Sequence, residues 1–110
     1  MNYKIKVLPN FIREVKKIAK KHSGFKRDLS ALISELETNP TLGTPLGQNF
    51  YKIRLSISGT NKGKSGGVRV ITYVILEKET VLLSEIYLKS VIDTVNIKIL
   101  IERLADEGLI

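Results

Sequence analysis

The chain has 110 residues, is 43% hydrophobic and carries a net charge of +7, which predicts a single, strongly basic folded domain over residues 1–110. It has no cysteine, which excludes disulfides and cysteine-ligated zinc, and no apolar run approaches the ~20 residues of a membrane-spanning helix. The N-terminal "MNYKIKVLPNF" lacks the apolar segment of a signal peptide, so we expect a cytoplasmic protein without membrane contact.

The first forty residues predict a strand followed by two helices. "YKIKVL" (3–8) alternates apolar and polar side chains, and Pro9 ends it and opens a helix. Apolar residues at helical spacing form one side of this helix, and the other side carries Arg13, Lys16, Lys17, Lys20 and Lys21. Gly24 is expected to stop it. A second helix should end at Asn39–Pro40, because a residue before proline avoids the helical conformation. Two short helices joined near Gly24 predict an antiparallel helical hairpin.

The remaining residues predict a sheet and a last helix. "TLGTPLGQN" (41–49) has the composition of a loop, and three strands follow at about 50–57, 67–76 and 80–88. The tight "EKET" turn makes the last two strands an antiparallel hairpin. "DTVNIKILIERLADEG" predicts a helix with Asp93 or Thr94 as its N-cap and Gly108 as its stop. This helix is apolar beyond one stripe, which fits a protein partner, self-association or deep burial.

The expected fold class is therefore α+β: an N-terminal strand, an antiparallel helical hairpin, an antiparallel sheet with one basic open face, and a C-terminal helix.

The cations are distributed unevenly along the chain. Residues 38–76 contain five lysines or arginines and no carboxylate, whereas residues 77–110 contain four cations and seven carboxylates. Thirty-nine consecutive residues without a carboxylate favour a surface that attracts a polyanion over a basic surface kept for solubility.

Strand alternation collects several of these cations on one face. Lys52 and Arg54 lie on the opposite side of strand 50–57 from its apolar residues, so the helices should leave them exposed. If the next strand is an antiparallel neighbour, Arg69 shares their face. Lys62 and Lys64 then lie at its rim, on the loop between the strands. The alternative is a solvated sheet face with no ligand.

The loop "GTNKGKSGGVR" (59–69) superficially resembles a nucleotide-binding P-loop. That motif requires two glycines separated by four residues, followed by Lys-Ser or Lys-Thr, between a strand and a helix. Gly63, Lys64 and Ser65 fit its end, but Ser58 occupies the position of the first glycine. Strands are predicted on both sides, so we expect no bound nucleotide and instead a mobile loop at residues 59–66.

The remaining residue types limit the chemistry. His22 is the only histidine, which excludes a two-histidine ribonuclease mechanism, and its place at a helix end suits capping. The basic stretch has no carboxylates to bind a catalytic metal, so we expect no metal and no other cofactor. Tyr73 and Tyr87 are candidates for stacking on RNA bases, whereas Tyr51 falls on the core side of its strand.

Two segments carry a resemblance to a known family. "NP..G.PLG..FYKIRL" (39–55) and "KGKSGGVRVITY" (62–73) resemble the RelE/ParE superfamily of bacterial toxins, and most closely its HigB-like, RelE-type branch. The resemblance implies the RelE-like fold and the toxin of a type II toxin–antitoxin module. Such toxins are mRNA endoribonucleases that enter the A site of the 30S ribosomal subunit and block translation. They use the 2′-hydroxyl of the mRNA as nucleophile, need no metal, and are neutralised by a cognate antitoxin encoded nearby.

The resemblance also implies roles for particular residues. Lys52 and Arg54 match the basic pair of the family, Arg69 matches its phosphate-binding arginine, and Lys89 falls where a further basic residue follows the last strand. Lys52 is then the candidate general base, because neighbouring cations disfavour the charged form of a lysine. Arg54 and Arg69 would hold phosphate oxygens, and Lys89 would assist the leaving group. The tyrosine that such toxins carry near the C-terminus has no counterpart in "VIDTVNIKIL".

Two other functions remain open at this point: a ParE-like inhibitor of DNA gyrase, and a nucleic-acid-binding module without catalysis. The basic pair beside Arg69 favours the ribonuclease.

Overall fold

The computed structural model describes residues 2–57, 67–89 and 96–110. Its elements, in chain order, are β1 (Lys4–Val7), α1 (Pro9–Lys21), α2 (Phe25–Thr38), β2 (Thr44–Gly47), β3 (Phe50–Leu55), β4 (Val68–Ile75), β5 (Thr80–Leu88) and α3 (Ile97–Asp106). The strands form one sheet in the order β1-β5-β4-β3-β2. The predicted α+β class is confirmed.

The sheet differs from the prediction in two respects. It is mixed rather than antiparallel, because β1 pairs with β5 in the parallel direction. A tight turn can join only antiparallel strands, but β1 is connected to the rest of the sheet through two helices, and so long a connection permits parallel pairing. The second difference is the short strand β2, which lies in the predicted loop 41–49 and pairs with β3. Its sequence, TPLG, contains a proline and a glycine, which is acceptable because β2 is an edge strand.

Helix ends follow local signals, although two were misassigned. Pro9 occupies the first turn of α1, as expected, but α1 is capped by His22, and Gly24 is the N-cap of α2. The N-cap of α3 is Asn96, whose side chain accepts a hydrogen bond from the N–H of Lys98 at 2.9 Å. Asp93 and Thr94 lie outside the described residues.

At the other end of α3, Gly108 is the predicted stop. It has a φ of 74°, which an L side chain rarely adopts. The N–H of Leu109 donates to the carbonyl of Leu104 at 2.9 Å, and the N–H of Gly108 donates to that of Ala105 at 3.0 Å. This pair of bonds is a Schellman motif.

Each face of the sheet has its own hydrophobic cluster. One cluster packs α1 and α2 against the sheet and includes Phe11, Phe25, Ile53, Val70 and Leu83. The other lies on the opposite face and includes Phe50, Ile71, Leu82, Leu100 and Leu104. The face expected to be open is therefore partly covered by α3, through the buried Leu100 and Leu104. The excess apolar character of this segment is not buried, because Ile99 is 47% and Ile110 is 50% exposed. No helix in the described ranges is long and apolar enough to cross a bilayer.

Candidate functional site

The centre of the site is a row of three side chains across the middle of the sheet. Arg54 on β3 pairs directly with Arg69 on β4, and Arg69 pairs with Tyr87 on β5. Directly paired residues of antiparallel strands point to the same face, with Cβ atoms about 4.5–5.5 Å apart. The register therefore starts the two arginine side chains from neighbouring positions on one face, although 14 residues separate them along the chain.

Lys52 and Lys89 flank this row. Lys52 pairs with Ile71, which pairs with Glu85, so Lys52 lies one row away, about 6.6 Å along the strand. On the other side, the N–H of Lys89 donates to the carbonyl of Gly67 at 3.1 Å. That bond holds Lys89 beside β4, two positions after Tyr87. The four residues Lys52, Arg54, Arg69 and Lys89, hereafter the sheet site, are thus brought together by three strands.

Gly67 is required for this arrangement. A Cβ atom added to Gly67 would lie 2.3 Å from the carbonyl oxygen of Leu55, a distance that real Cβ atoms do not reach. The glycine therefore allows β4 to approach β3 closely just before Arg69.

The exposures within the sheet site differ. Arg54 is exposed and Lys52 and Lys89 are half-buried, but Arg69 is only 3% exposed. Arg69 shares the face of Lys52 and Arg54, as expected, but it is not open to solvent there; its strand, β4, is the central strand and has neighbours on both sides. Its Nη1 lies 3.4 Å from the carbonyl oxygen of Val68. A buried guanidinium has few accessible rotamers, so Arg69 is held in place while Arg54 can adjust to a ligand.

The two candidate stacking tyrosines have different environments. Tyr73 is half-buried on the same face as Arg69, and its ring lies 4.8 Å from that of Phe50 at an interplanar angle of 51°. Tyr87 is 6% exposed, and its hydroxyl is buried as well. Base stacking by Tyr87 would therefore need the side chain to become exposed, whereas Tyr73 already has accessible surface. Lys62 and Lys64, expected at the rim, lie outside the described residues.

An acidic side chain that sequence reasoning did not select lies beside the site. Glu85 forms an ion pair with Arg103 of α3 and accepts hydrogen bonds from Asn10 of α1 at 3.3 and 3.4 Å. Its carboxylate thus joins both helices to β5, two residues before Tyr87. The signal for it was present in "VLLSEIYL", where Glu85 is the lone charge in an otherwise apolar strand.

A groove of about 410 Å³ lies between α1, β5 and α3, and its lining includes Tyr87 but none of the four sheet-site residues. It is lined by residues of all three elements, including Lys17, Lys21, His22, Tyr87 and Arg103. A second groove, of about 670 Å³, lies between α2 and the edge of β3.

The sheet site combines two guanidinium and two ammonium groups, a set that suits the binding of an anion such as a phosphate. Arg54 is exposed and can meet an anion directly, whereas Arg69, like Tyr87, would first need to become accessible; Lys52 and Lys89 lie on either side of the pair. Within the described ranges, no three histidine, aspartate or glutamate residues are grouped as metal ligands would be.

Neither a protein-family model nor a curated protein sequence matches the chain. Among solved structures, a double arginine-to-alanine mutant of the E. coli toxin RelE in the free state superimposes with a TM-score of 0.66. The superposition covers 94% of this chain and 99% of that chain, at 19% sequence identity. The order of elements, the mixed five-stranded sheet and this superposition together show that the chain has the fold of the RelE toxin.

Proposed function

We propose that this protein is the toxin of a type II toxin–antitoxin module and an endoribonuclease that cuts mRNA on the ribosome. The observation that carries the proposal is the direct pairing of Arg54 with Arg69, with Lys52 and Lys89 in the flanking positions. The RelE fold and the HigB-like sequence segments support the same conclusion. The substrate is mRNA in the A site of the 30S subunit, so the protein acts in the cytoplasm, and a cognate antitoxin neutralises it.

The proposed reaction is an internal transfer of the phosphate. Lys52 takes the proton from the 2′-hydroxyl, and the resulting 2′-oxygen attacks the adjacent phosphorus. Arg54 and Arg69 stabilise the additional negative charge on the phosphate oxygens. The bond to the 5′-oxygen breaks, and Lys89 donates the proton that this leaving group needs. The products are a 2′,3′-cyclic phosphate and a free 5′-hydroxyl, so neither water nor a metal takes part.

RNA recognition beyond the phosphate is assigned to residues at the rim. Tyr73 offers an accessible ring on the face of Arg69 for stacking on a base. Tyr87 would join it only after a rearrangement that exposes its ring. Lys62 and Lys64 would add long-range attraction to the RNA backbone.

The direct test is a cleavage assay on ribosomes programmed with a defined mRNA, with and without EDTA. The expected result is A-site cleavage that EDTA does not inhibit and a 2′,3′-cyclic phosphate at the new 3′ end. Arg54→Gln should reduce the cleavage rate by about 10²–10³, the usual effect of losing one preorganised contact to the transition state. Lys78→Gln is the matched control. It makes the same change in charge at an exposed position in the turn between β4 and β5, away from the site.

A cellular experiment separates this proposal from the gyrase alternative. Expression without antitoxin should stop incorporation of labelled amino acids before incorporation of labelled thymidine, because translation is the target. An early stop of DNA synthesis with intact mRNA would replace the proposal with gyrase inhibition. RNA binding without either effect would indicate a non-catalytic module.

A further inference from the structure

One edge of β3 is only partly covered by its neighbour. The short strand β2 pairs with β3 as far as Lys52, which lies opposite Thr44. The residue before Thr44 is Gly43, whose φ of 105° lies outside the conformation of a strand, so the pairing does not continue past it. In the part of the chain that the structure describes, no strand therefore lies beside residues 53–55 on this side.

The hydrogen-bond alternation of the β3–β4 ladder identifies the backbone groups at this open edge. The N–H of Val74 donates to the carbonyl of Asn49 at 3.0 Å, so these residues form a hydrogen-bonded pair in register with the ladder. Such pairs recur at every second residue, so the odd-numbered residues of β3 bond to β4. Arg54, and by the same alternation Ser56, direct their N–H and C=O groups toward the open edge. Backbone groups at the edge of a sheet are a template for another strand.

The 670 Å³ groove lies along this edge, between α2 and β3. Asp28 and Glu35 line it from α2, where a spacing of seven residues places them on one side of the helix, about 10 Å apart. Lys52 and Arg54 line it from β3, so this groove, unlike the 410 Å³ groove, adjoins the sheet site. One side of the groove is therefore acidic and the other is basic.

This charge pattern disfavours two kinds of ligand. A nucleic-acid backbone would bring its phosphates beside the carboxylates of Asp28 and Glu35. A second copy of this chain, paired edge to edge through the same short opening, would bring two copies of Arg54 together.

An extended peptide suits both the edge and the charges. Its backbone can pair with the outward N–H and C=O groups of Arg54 and Ser56, and its side chains alternate between two faces. The peptide residue opposite Arg54 points to the face of the sheet site, where an acidic side chain would meet Lys52 and Arg54. The residues on either side of it point toward α2, where basic side chains would meet Asp28 and Glu35.

We propose that the open edge of β3 and the groove beside it form a docking site for an extended segment of a partner protein, which adds a strand to the sheet. The segment carries aspartate or glutamate on the face toward the sheet site, and lysine or arginine on the face toward α2. Its acidic side chain takes the place of an RNA phosphate at Arg54, so the segment and RNA exclude each other. This exclusion rests on the proposed function, whereas the docking itself does not.

The docking is tested with two synthetic peptides of equal composition, each labelled with fluorescein at the N-terminus and amidated at the C-terminus. In TKEVEKT, strand alternation puts both glutamates on one face and both lysines on the other. In TEEVKKT, each face carries one glutamate and one lysine in every register. Fluorescence anisotropy with the full-length protein should show at least about 5-fold tighter binding of TKEVEKT, because only this peptide matches both sides of the groove.

Methylation of the peptide backbone tests whether a strand is formed. In the docked TKEVEKT peptide the glutamates share the face of Arg54, so their N–H groups point to β3 and the N–H of the valine points away. Methylating the nitrogen of the first or the second glutamate should weaken binding by about 10-fold for the one that pairs with Arg54. Methylating the nitrogen of the valine is the matched control and should have little effect.

Two pairs of protein variants test the same contacts from the other side. Glu35→Lys should weaken the binding of TKEVEKT by about 5-fold, whereas Glu37→Lys, on the same helix but outside the groove lining, should not. Ser56→Pro removes an N–H that points to the open edge and should weaken binding by about 10-fold, whereas Ser56→Ala keeps that N–H and should bind normally. Thermal melting checks that each variant is folded, and the methylated peptides test the same pairing in the wild type.

The inference is overturned if TKEVEKT does not bind, if the two peptides bind equally, or if methylation of the glutamates and of the valine has equal effects. A groove that binds RNA would instead show tighter binding of a 2′-O-methyl RNA strand by Glu35→Lys and no peptide binding. TKEVEKT should displace that RNA strand from the wild type, and simultaneous binding would refute the exclusion. A wild type that binds TKEVEKT but does not cut mRNA on the ribosome removes the proposed function and leaves the docking site intact.

Discussion

Truncation of Arg69 is expected to reduce both activity and stability, whereas truncation of Arg54 should reduce activity alone. The two arginines are direct partners across β3 and β4 and would contact the same phosphate. They differ in burial, since Arg69 is 3% exposed and Arg54 is an exposed residue. Comparing them separates the chemical role of a guanidinium from its role in packing.

The magnitudes follow from this difference. Removing a large buried side chain leaves a cavity, which typically costs about 2–5 kcal/mol in the free energy of unfolding. Relief of the like-charge pairing with Arg54 offsets about 0.2–1 kcal/mol of that cost. Arg69→Ala should therefore lose roughly 1–5 kcal/mol, which lowers the Tm of a domain near this size by about 4–20 °C. Arg54→Ala should change stability by less than about 0.5 kcal/mol.

Arg69→Lys tests the geometry of the guanidinium separately. Lysine keeps the positive charge and most of the aliphatic stem, so its stability loss should be clearly smaller than that of alanine. Its ammonium group cannot form two parallel hydrogen bonds to a phosphate, so cleavage should still slow by at least about 10-fold.

The stability of each variant is measured by thermal unfolding, with circular dichroism as the signal. Activity is measured by single-turnover cleavage on programmed ribosomes, at a temperature where all variants are folded. The reasoning fails if Arg69→Ala melts with the wild type, or if Arg54→Ala is destabilised as strongly. Full cleavage activity in a folded Arg69→Ala protein would remove Arg69 from the site.

Three further predictions concern the surroundings of the site. Gly43→Ala should destabilise more than Gly47→Ala in thermal melts, since both have positive φ but only at Gly43 does an added Cβ meet backbone, 2.5 Å from the Lys52 oxygen; equal losses would contradict this. Leu104→Ala should cost about 2–5 kcal/mol in denaturant titrations, because Leu104 is fully buried where α3 covers the sheet; a loss near zero would mean that α3 is not bound there. The double variant Lys62→Ala, Lys64→Ala should bind the ribosome more weakly and with a shallower salt dependence, but its single-turnover cleavage rate at saturating ribosome should be unchanged. Slow cleavage with normal binding would mean that a loop lysine, instead of Lys52, is catalytic.

The sequence alone determined the order and approximate bounds of most elements. Alternation in "YKIRLSI" places Ile53 in the core and Arg54 outside it, and the structure agrees because the pleat of a strand fixes which side chains share a face. Pro9 lies at the start of α1, where its fixed φ suits the first turn, and Gly108 ends α3, where its positive φ suits a glycine. Strand faces and helix ends depend on residues only a few positions apart in the chain, so they can be predicted from the sequence.

The tertiary structure decided what depends on residues far apart in the chain. Arg69 is buried on β4, which lies at the centre of the sheet because the last strand, β5, pairs with the first strand, β1. The cover that α3 places on Ile71 and Leu82 and the contact of Glu85 with Arg103 likewise join segments that no local pattern connects. Local propensities specify a strand and its two faces, but the order of strands and the covering of each face are set by the total apolar surface that the whole chain must bury.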